Sequence, residues 1–305
     1  MDRKASGPCR ADRNPFFMVG LTQYPHMQPI FKAYTCGKMK SRYTDRRLYF
    51  DELAQTSREF ITRYVSRFMD MRKGKRVLEI GCGEGGNLVP FAEAGLEVYG
   101  VDISSGKIAY AREFFHDLRL SGTFICEDFL NMDIASHISS YDLIILHDVI
   151  EHIDPSLKGR FMLRARQLMK TGGIMMVGFP SWKMPFGGHQ QICSKRICRI
   201  PFIHLLPSVI YRKYLEICGE KPEIIAELMS IFKARMSIEG FEKLLASAGY
   251  MVKDRTLWLI NPHYKAKFGL KPRKLPVIFC RLRWFRDHMC TSCFYILTGN
   301  TSATS

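Results

Sequence analysis

Val77-Leu-Glu-Ile-Gly-Cys-Gly-Glu-Gly-Gly86 carries an apolar run into glycines spaced G-x-G-x-x-G, at Gly81, Gly83 and Gly86. The run before the glycines predicts a buried strand, and the residues after them predict a helix. Glycine at such a junction lets the backbone turn tightly and lie close to a ligand over the carboxyl ends of parallel strands. A second strand over 97–101 closes at Asp102, about 20 residues beyond the glycines, where a carboxylate can meet ribose hydroxyls. That spacing is equally the fingerprint of a dinucleotide site.

Three features separate the two readings. Glu79 stands two residues before Gly81, where its charge would repel a diphosphate and attract an ammonium group, directly or through water. A third strand, 123–126, runs into Glu127-Asp128-Phe129, an acidic and aromatic corner suited to the exocyclic amine and face of an adenine. The chain then finishes as helix, strand, long connection and strand, which predicts an antiparallel strand closing an otherwise parallel sheet.

Further strands are predicted over 141–146, 174–177, 251–260 and 293–298, and helices over 87–94, from Ser104 or Ser105 to about 118, from Asp154-Pro155 to about 169, and over 238–248. The fold expected is α/β, a doubly wound and mostly parallel seven-stranded Rossmann-like sheet with an antiparallel last strand and a helical lid insertion. Residues 1–40, without periodicity and with four prolines, are expected as an extended or disordered tail, and 41–75 as a helical lead-in. Residues 76–180 and 236–300 would form the ligand-binding domain, with 181–235 as the lid over an acceptor.

A length of 305 residues with 47% hydrophobic content excludes a disordered chain. The net charge of +16 points to something acidic, a phosphorylated substrate, an anionic membrane face or nucleic acid, or else to a basic surface with no partner. Ten cysteines without framework spacing fit reduced thiols in the cytoplasm. Cys193 and Cys198 with Cys290 and Cys293 offer four zinc ligands on paper, but ordinary packing accounts for them better. No stretch reads as a secretory signal or a membrane span, so the expected location is the cytoplasm, with or without peripheral contact to an anionic membrane.

Residues 77–86 resemble motif I of the class I S-adenosylmethionine-dependent methyltransferases, and Val98-Tyr-Gly-Val-Asp102 resembles the acidic strand end that follows it. The likeness extends through Glu127-Asp128 and the stretch from Tyr141 to His152, covering about 48–180 well and 236–298 by topology. It implies a methyltransferase using S-adenosylmethionine. By resemblance Glu79, Gly81 and Gly83, with Cys82 between them, hold the methionine part, Asp102 the ribose, Ile103, Asp128 and Phe129 the adenine, and the backbone at His147 the amino group.

Methyl transfer requires alignment of donor and acceptor, exclusion of water and, for a hydroxyl acceptor, removal of a proton. Asp148, Glu151 and His152 follow the fourth strand in a spacing that resembles the acidic-x-x-acidic-His pattern of ubiquinone-pathway O-methyltransferases, where such a trio can bind a divalent metal. A hydrogen-bonded turn accounts for the trio better, so no metal is assigned, and His152 is kept as a candidate base. After the fifth strand, Trp182, Met184, Phe186 and two glycines before His189 suggest a flexible apolar entrance, with His189 as base, substrate anchor or turn residue. The apolar stretch 200–210 and the aromatic, arginine-rich stretch 275–286 suit either a membrane interface or an internal packing face. The activity expected is methyl transfer to a small or lipid-like acceptor, at oxygen first. The alternatives are a nucleic-acid methyltransferase, disfavoured because His147-Asp-Val-Ile150 stands where an N-P-P-Y-like motif would, and a non-catalytic cofactor-binding protein. Oligomeric state is left open.

Overall fold

The computed structural model describes residues 45–299, so the expected tail 1–40 lies outside the described residues. Strands β1 (Arg76–Ile80), β2 (Glu97–Asp102), β3 (Thr123–Cys126), β4 (Tyr141–His147), β5 (Met169–Phe179), β6 (Tyr250–Ile260), β7 (Arg273–Lys274) and β8 (Ser292–Gly299) form one sheet in the order β3-β2-β1-β4-β5-β8-β6-β7. The first five pair in parallel, and β8 runs antiparallel to both β5 and β6. The sheet has eight strands rather than the expected seven. The extra one, β7, pairs Trp258 with Lys274 and Ile260 with Arg273. Two residues carry no readable alternation, so only the pairing with β6 makes them a strand.

Every residue of β4 is buried, as a strand covered on both faces requires. Alternate side chains feed two cores. Leu78, Ile144, Leu146 and Val177 pack toward α5 (Lys158–Leu168) and α8 (Ile238–Ser247), whereas Val77, Leu143, Ile145 and Met176 pack toward α1 (Arg46–Thr56) and α4 (Ser105–Asp117). The lead-in helix starts at Asp45, whose carboxylate accepts from the Leu48 N–H at 2.9 Å. It continues through a π-helical turn, Ser57–Ile61, into α2 (Thr62–Val65). Its approach to the glycine turn is close: a Cβ on Gly86 would lie 2.6 Å from the Phe50 carbonyl oxygen. The helix expected over 87–94 accordingly begins as a 3-10 turn, Gly86–Leu88, before α3 (Val89–Glu93).

Asp154-Pro155 does not start the next helix, which begins at Lys158. The Asp154 carboxylate is already used, accepting from the Ser156 N–H at 3.0 Å and its hydroxyl at 2.7 Å, which closes a turn ahead of α5. In the insertion, α6 (Ser208–Ile217) and α7 (Pro222–Ala234) share a small core of Cys193, Cys198, Tyr211, Leu215, Ile225 and Leu228. The basic stretch after β6 folds as α9 (His263–Phe268), β7, α10 (Val277–Arg281) and α11 (Arg283–Met289). Among the described residues no helix is long and apolar enough to cross a membrane.

Candidate functional site

At the end of β1 the chain turns with Gly81 at φ 75° and Gly83 at φ 54°. Gly81 and Cys82 both donate their N–H groups to the Val101 carbonyl, at 2.7 and 3.1 Å, and Gly83 donates to Asp102 Oδ2 at 2.9 Å. Asp102 Oδ1 accepts from the Ser104 N–H at 2.8 Å, so the acidic end of β2 is locked to the glycine turn. Glu79 lies below this turn, buried, with Oε1 accepting from Asn87 Nδ2 at 2.7 Å. Its Oε2 and the Asn87 Oδ1 have no partner. Burial first, and the Asp102 charge after it, push the Glu79 carboxyl up to about 8 against the Asn87 hydrogen bond. Cys82 is buried behind the turn, and burial drives its thiol well above the ordinary range, so it is a packing residue beside Gly100.

Ile103 is 72% exposed at the end of β2, an apolar side chain with nothing over it. Asp128 accepts from the Leu130 N–H at 3.0 Å and from Asn131 Nδ2 at 2.6 Å, which shapes the turn after β3. Phe129 differs from expectation. Its ring is buried against Phe161, with centroids 4.9 Å apart, because the turn at Asp128 directs it into the core rather than to the strand ends.

The end of β4 forms the other wall. His147 is buried, with Nδ1 3.5 Å from Asp148 Oδ2 and its ring against Phe294 at 5.8 Å. Gly178 makes room for it, since a Cβ there would lie 2.6 Å from His147 Cδ2. Asp148 takes φ 55° and donates its N–H to the Gly178 carbonyl at 2.8 Å. The next residue, Val149, bridges the two walls: a Cβ on Gly81 would meet its Cγ2 at 2.4 Å.

Beyond Val149, Glu151 is buried with neither carboxylate oxygen hydrogen-bonded. Burial and then the Asp148 charge raise its carboxyl well above the usual range. His152 Nε2 lies 4.0 Å from Glu151 Oε1, and the His152 ring meets that of His189 edge to face, with centroids 5.1 Å apart. Atoms of Glu151, His152 and His189 able to ligate a cation all lie within 4.8 Å of one another. The trio read in the sequence thus regroups: His189 stands where Asp148 was expected, because the left-handed turn at Asp148 points its carboxylate toward His147. Burial holds His189 down to about 3, with His152, His204 and Lys267 adding to the effect. Burial also lowers His152, opposed by the Asp148 charge.

Loop 181–191, expected as a flexible apolar entrance, is closely packed in this structure. Trp182, Met184 and Phe186 are buried, and the glycines admit close packing: a Cβ on Gly187 would lie 2.1 Å from the Trp182 carbonyl oxygen, and one on Gly188 would lie 2.3 Å from His204 Cβ. His204 is the hub of this loop, and nothing in the sequence marks it. Its Nε2 donates to the Trp182 carbonyl at 2.7 Å, and its Nδ1 accepts from Gln190 Nε2 at 3.2 Å. Lys158 is a second residue without a sequence signal, buried beside Glu151 and donating from Nζ to the Ala234 carbonyl. Burial brings it down to about 8, partly offset by Glu151.

The four cysteines considered for zinc do not converge. Cys290 and Cys293 pair with each other in the sheet core, Sγ to Sγ at 3.5 Å, whereas Cys193 and Cys198 sit in the insertion core. There they lie within reach of Glu220, whose oxygens accept from the Ser194 hydroxyl at 2.5 Å and the Lys195 N–H at 3.0 Å.

Residues 77–173 match a protein family described as a methyltransferase domain. Ubiquinone biosynthesis O-methyltransferase of Nitrobacter winogradskyi is 34% identical over 110 residues, 36% of this chain and 40% of that protein. The enzyme of that name from Actinobacillus pleuropneumoniae is 30% identical over 115 residues, 37% of this chain and 48% of that protein. The chain therefore spans less than half the length of these relatives. Among solved structures, an S-adenosylmethionine-dependent methyltransferase from Clostridium acetobutylicum superposes with a TM-score of 0.54 at 13% identity, over 85% of this chain and 99% of that one. Phosphoethanolamine N-methyltransferase 2 of Haemonchus contortus, in complex with S-adenosyl-L-methionine, does so with 0.52 at 19% identity, over 85% and 58%. Both likenesses concern the fold. The turn at 81–86 fits that cofactor on its own terms, for the unpartnered Glu79 Oε2 and Asn87 Oδ1 are buried acceptors suited to an ammonium group. Residues 77–173 accordingly match a methyltransferase domain, set in an eight-stranded Rossmann-like sheet.

Proposed function

We propose that this protein transfers a methyl group from S-adenosylmethionine to an oxygen of a small or lipid-like acceptor held beside His152 and His189, in peripheral contact with an anionic membrane. The observation that carries the reading is the meeting of these two rings, 5.1 Å apart, where the turn that Val149 packs against the glycine turn reaches the loop after β5. The O-methyltransferase relatives support oxygen as the acceptor atom.

Glu79, Gly81 and Gly83 would hold the methionine part, Asp102 the ribose, and Ile103 and Asp128 the adenine, with His147 offering its backbone. When bound, the cofactor supplies an electrophilic methyl group on a sulfonium. The hydroxyl oxygen of the acceptor would bond to that carbon as the methyl–sulfur bond breaks, its electron pair leaving with the thioether S-adenosylhomocysteine, and would shed its proton. His152 would take it: burial lowers its basicity and so keeps the ring unprotonated and able to accept, while the Asp148 charge, acting against burial, eases the imidazolium that results. His189, held neutral by burial, orients the hydroxyl. The packed loop of Trp182, Met184 and Phe186 excludes water.

The test is calorimetry with S-adenosylmethionine, followed by incubation of the full chain with methyl-labelled cofactor and fractionated lipid, small-molecule and RNA extracts. Binding with label in the lipid or small-molecule fraction is the expected result. Label confined to RNA would support the nucleic-acid reading, and absence of cofactor binding would overturn both.

A further inference from the structure

We infer that the outer face of residues 276–285, built on Trp284 and Phe285 with Arg281 and Arg283 beside them, docks this protein onto an anionic lipid bilayer. This makes specific the membrane part of the proposed function and rests on no step of methyl transfer.

The segment is fixed at both ends while its face stays bare. Leu275 is buried and donates its N–H to the Leu257 carbonyl at 2.8 Å. Past the face, Arg286 and Asp287 are buried: the Asp287 carboxylate meets Lys183 Nζ at 3.2 Å, and Arg286 faces Glu242 at 3.9 Å. Between these anchors Val277 is 72% exposed, Ile278 66%, Leu282 48% and Trp284 54%. Large apolar side chains gathered on a rigid surface mark an interaction site rather than incidental exposure.

The patch is continuous and leads to the candidate site. Phe279 meets Phe285 at 5.2 Å, Phe285 meets Trp284 at 5.1 Å, and Trp284 stacks on His288 at 4.5 Å. His288 lies 6.3 Å from Phe202, whose N–H donates to the Pro185 carbonyl at 2.8 Å, in the loop that carries His189.

Charge selects the occupant. Residues 255–286 contain nine Lys and Arg and no Asp or Glu. A second copy docked face to face would set Arg281 and Arg283 against their own equivalents, whereas an anionic surface attracts them as the aromatic rings enter the headgroup boundary. Helices of five and seven residues lie on such a boundary and cannot span it.

The experiment is co-sedimentation of the full chain with phosphatidylglycerol–phosphatidylcholine vesicles and with phosphatidylcholine vesicles. It compares wild type, Trp284→Ser/Phe285→Ser and Arg281→Gln/Arg283→Gln, with no acceptor present. Wild type is expected to bind the anionic vesicles alone, with its tryptophan emission shifting to the blue. The aromatic pair is expected to lose at least tenfold in partitioning at unchanged charge, and the arginine pair to lose affinity and salt dependence. Unchanged cofactor calorimetry verifies that both variants are folded and keeps failure here distinct from failure of the methyltransferase reading. Equal binding by the aromatic pair would trace adsorption to net charge elsewhere and overturn the proposal. So would no binding by wild type, or a wild-type dimer in analytical ultracentrifugation that the aromatic pair dissolves.

Discussion

The rings of His152 and His189 meet edge to face at 5.1 Å, one delivered by the 3-10 turn after β4 and the other by a left-handed residue in the loop after β5. Neighbouring parallel strands end side by side, so loops far apart in sequence share one edge of the sheet. Replacing either ring separates chemistry from cofactor binding. His152→Ala is expected to lose about 10²–10⁴-fold in kcat, as removal of a positioned base does. His189→Ala should lose turnover with a larger rise in KM. Calorimetry should find S-adenosylmethionine affinity unchanged in both, and full turnover in either variant would remove that residue from the site.

Glu79 is expected to make stability and cofactor binding depend on pH. The folded protein keeps its carboxyl protonated up to about 8, whereas an unfolded chain releases that proton near 4.5. The native state therefore binds more protons between those values, and stability falls as pH rises through the window. Glu151, raised in the same direction, acts likewise. Glu79→Gln should shrink the loss of melting temperature between pH 5 and pH 8 and weaken the cofactor. Titration calorimetry of wild type in buffers of different ionisation heat should detect proton release on binding below pH 8, and a melting profile unaltered by the substitution would count against a protonated Glu79.

Gly81 and Val149 couple the glycine turn to the loop bearing Glu151 and His152. Gly81→Ala would drive a Cβ to 2.4 Å from Val149 Cγ2 at a backbone φ of 75°. Overpacking of this kind costs about 1–3 kcal/mol. Val149→Ala in the same chain should recover part of that cost, leaving the backbone strain. Urea unfolding of the two single variants and the double variant measures the coupling; strict additivity would show that the contact carries none.

His204 is expected to act on the acceptor through the loop it braces. His204→Ala leaves the Trp182 carbonyl without its buried partner and opens space opposite Gly188, while the Gln190 amide keeps the Pro185 and Ile200 carbonyls. A cost of about 1–3 kcal/mol follows for that buried carbonyl left unpaired. KM for the acceptor should rise more than kcat falls, with cofactor binding retained. Equal loss of all three would instead mean that His204 supports the whole domain.

Much of the frame was legible from residue order. The ends of β1 and β3 at Ile80 and Cys126 fall where the apolar runs break, and Ser104 caps α4 by accepting from the Lys107 N–H at 3.4 Å. Asp154-Pro155 misled because capping chemistry and turn chemistry use the same carboxylate, and Ser156 competes for it within two residues. The corner Glu127-Asp128-Phe129 does not say which way the turn directs the Phe129 ring, which packs on Phe161.

The glycine turn, the acids at Glu79 and Asp102 and the alternation of strands and helices are local patterns, and local chemistry sufficed to read the sheet edge that they share. The grouping of Glu151, His152 and His189, the bracing by His204 and the bare face at Trp284 depend on pairings between elements distant in the chain. Such pairings are chosen by packing and by backbone directions at single residues, Asp148 and His189 above all, whose left-handed φ no residue pattern announces.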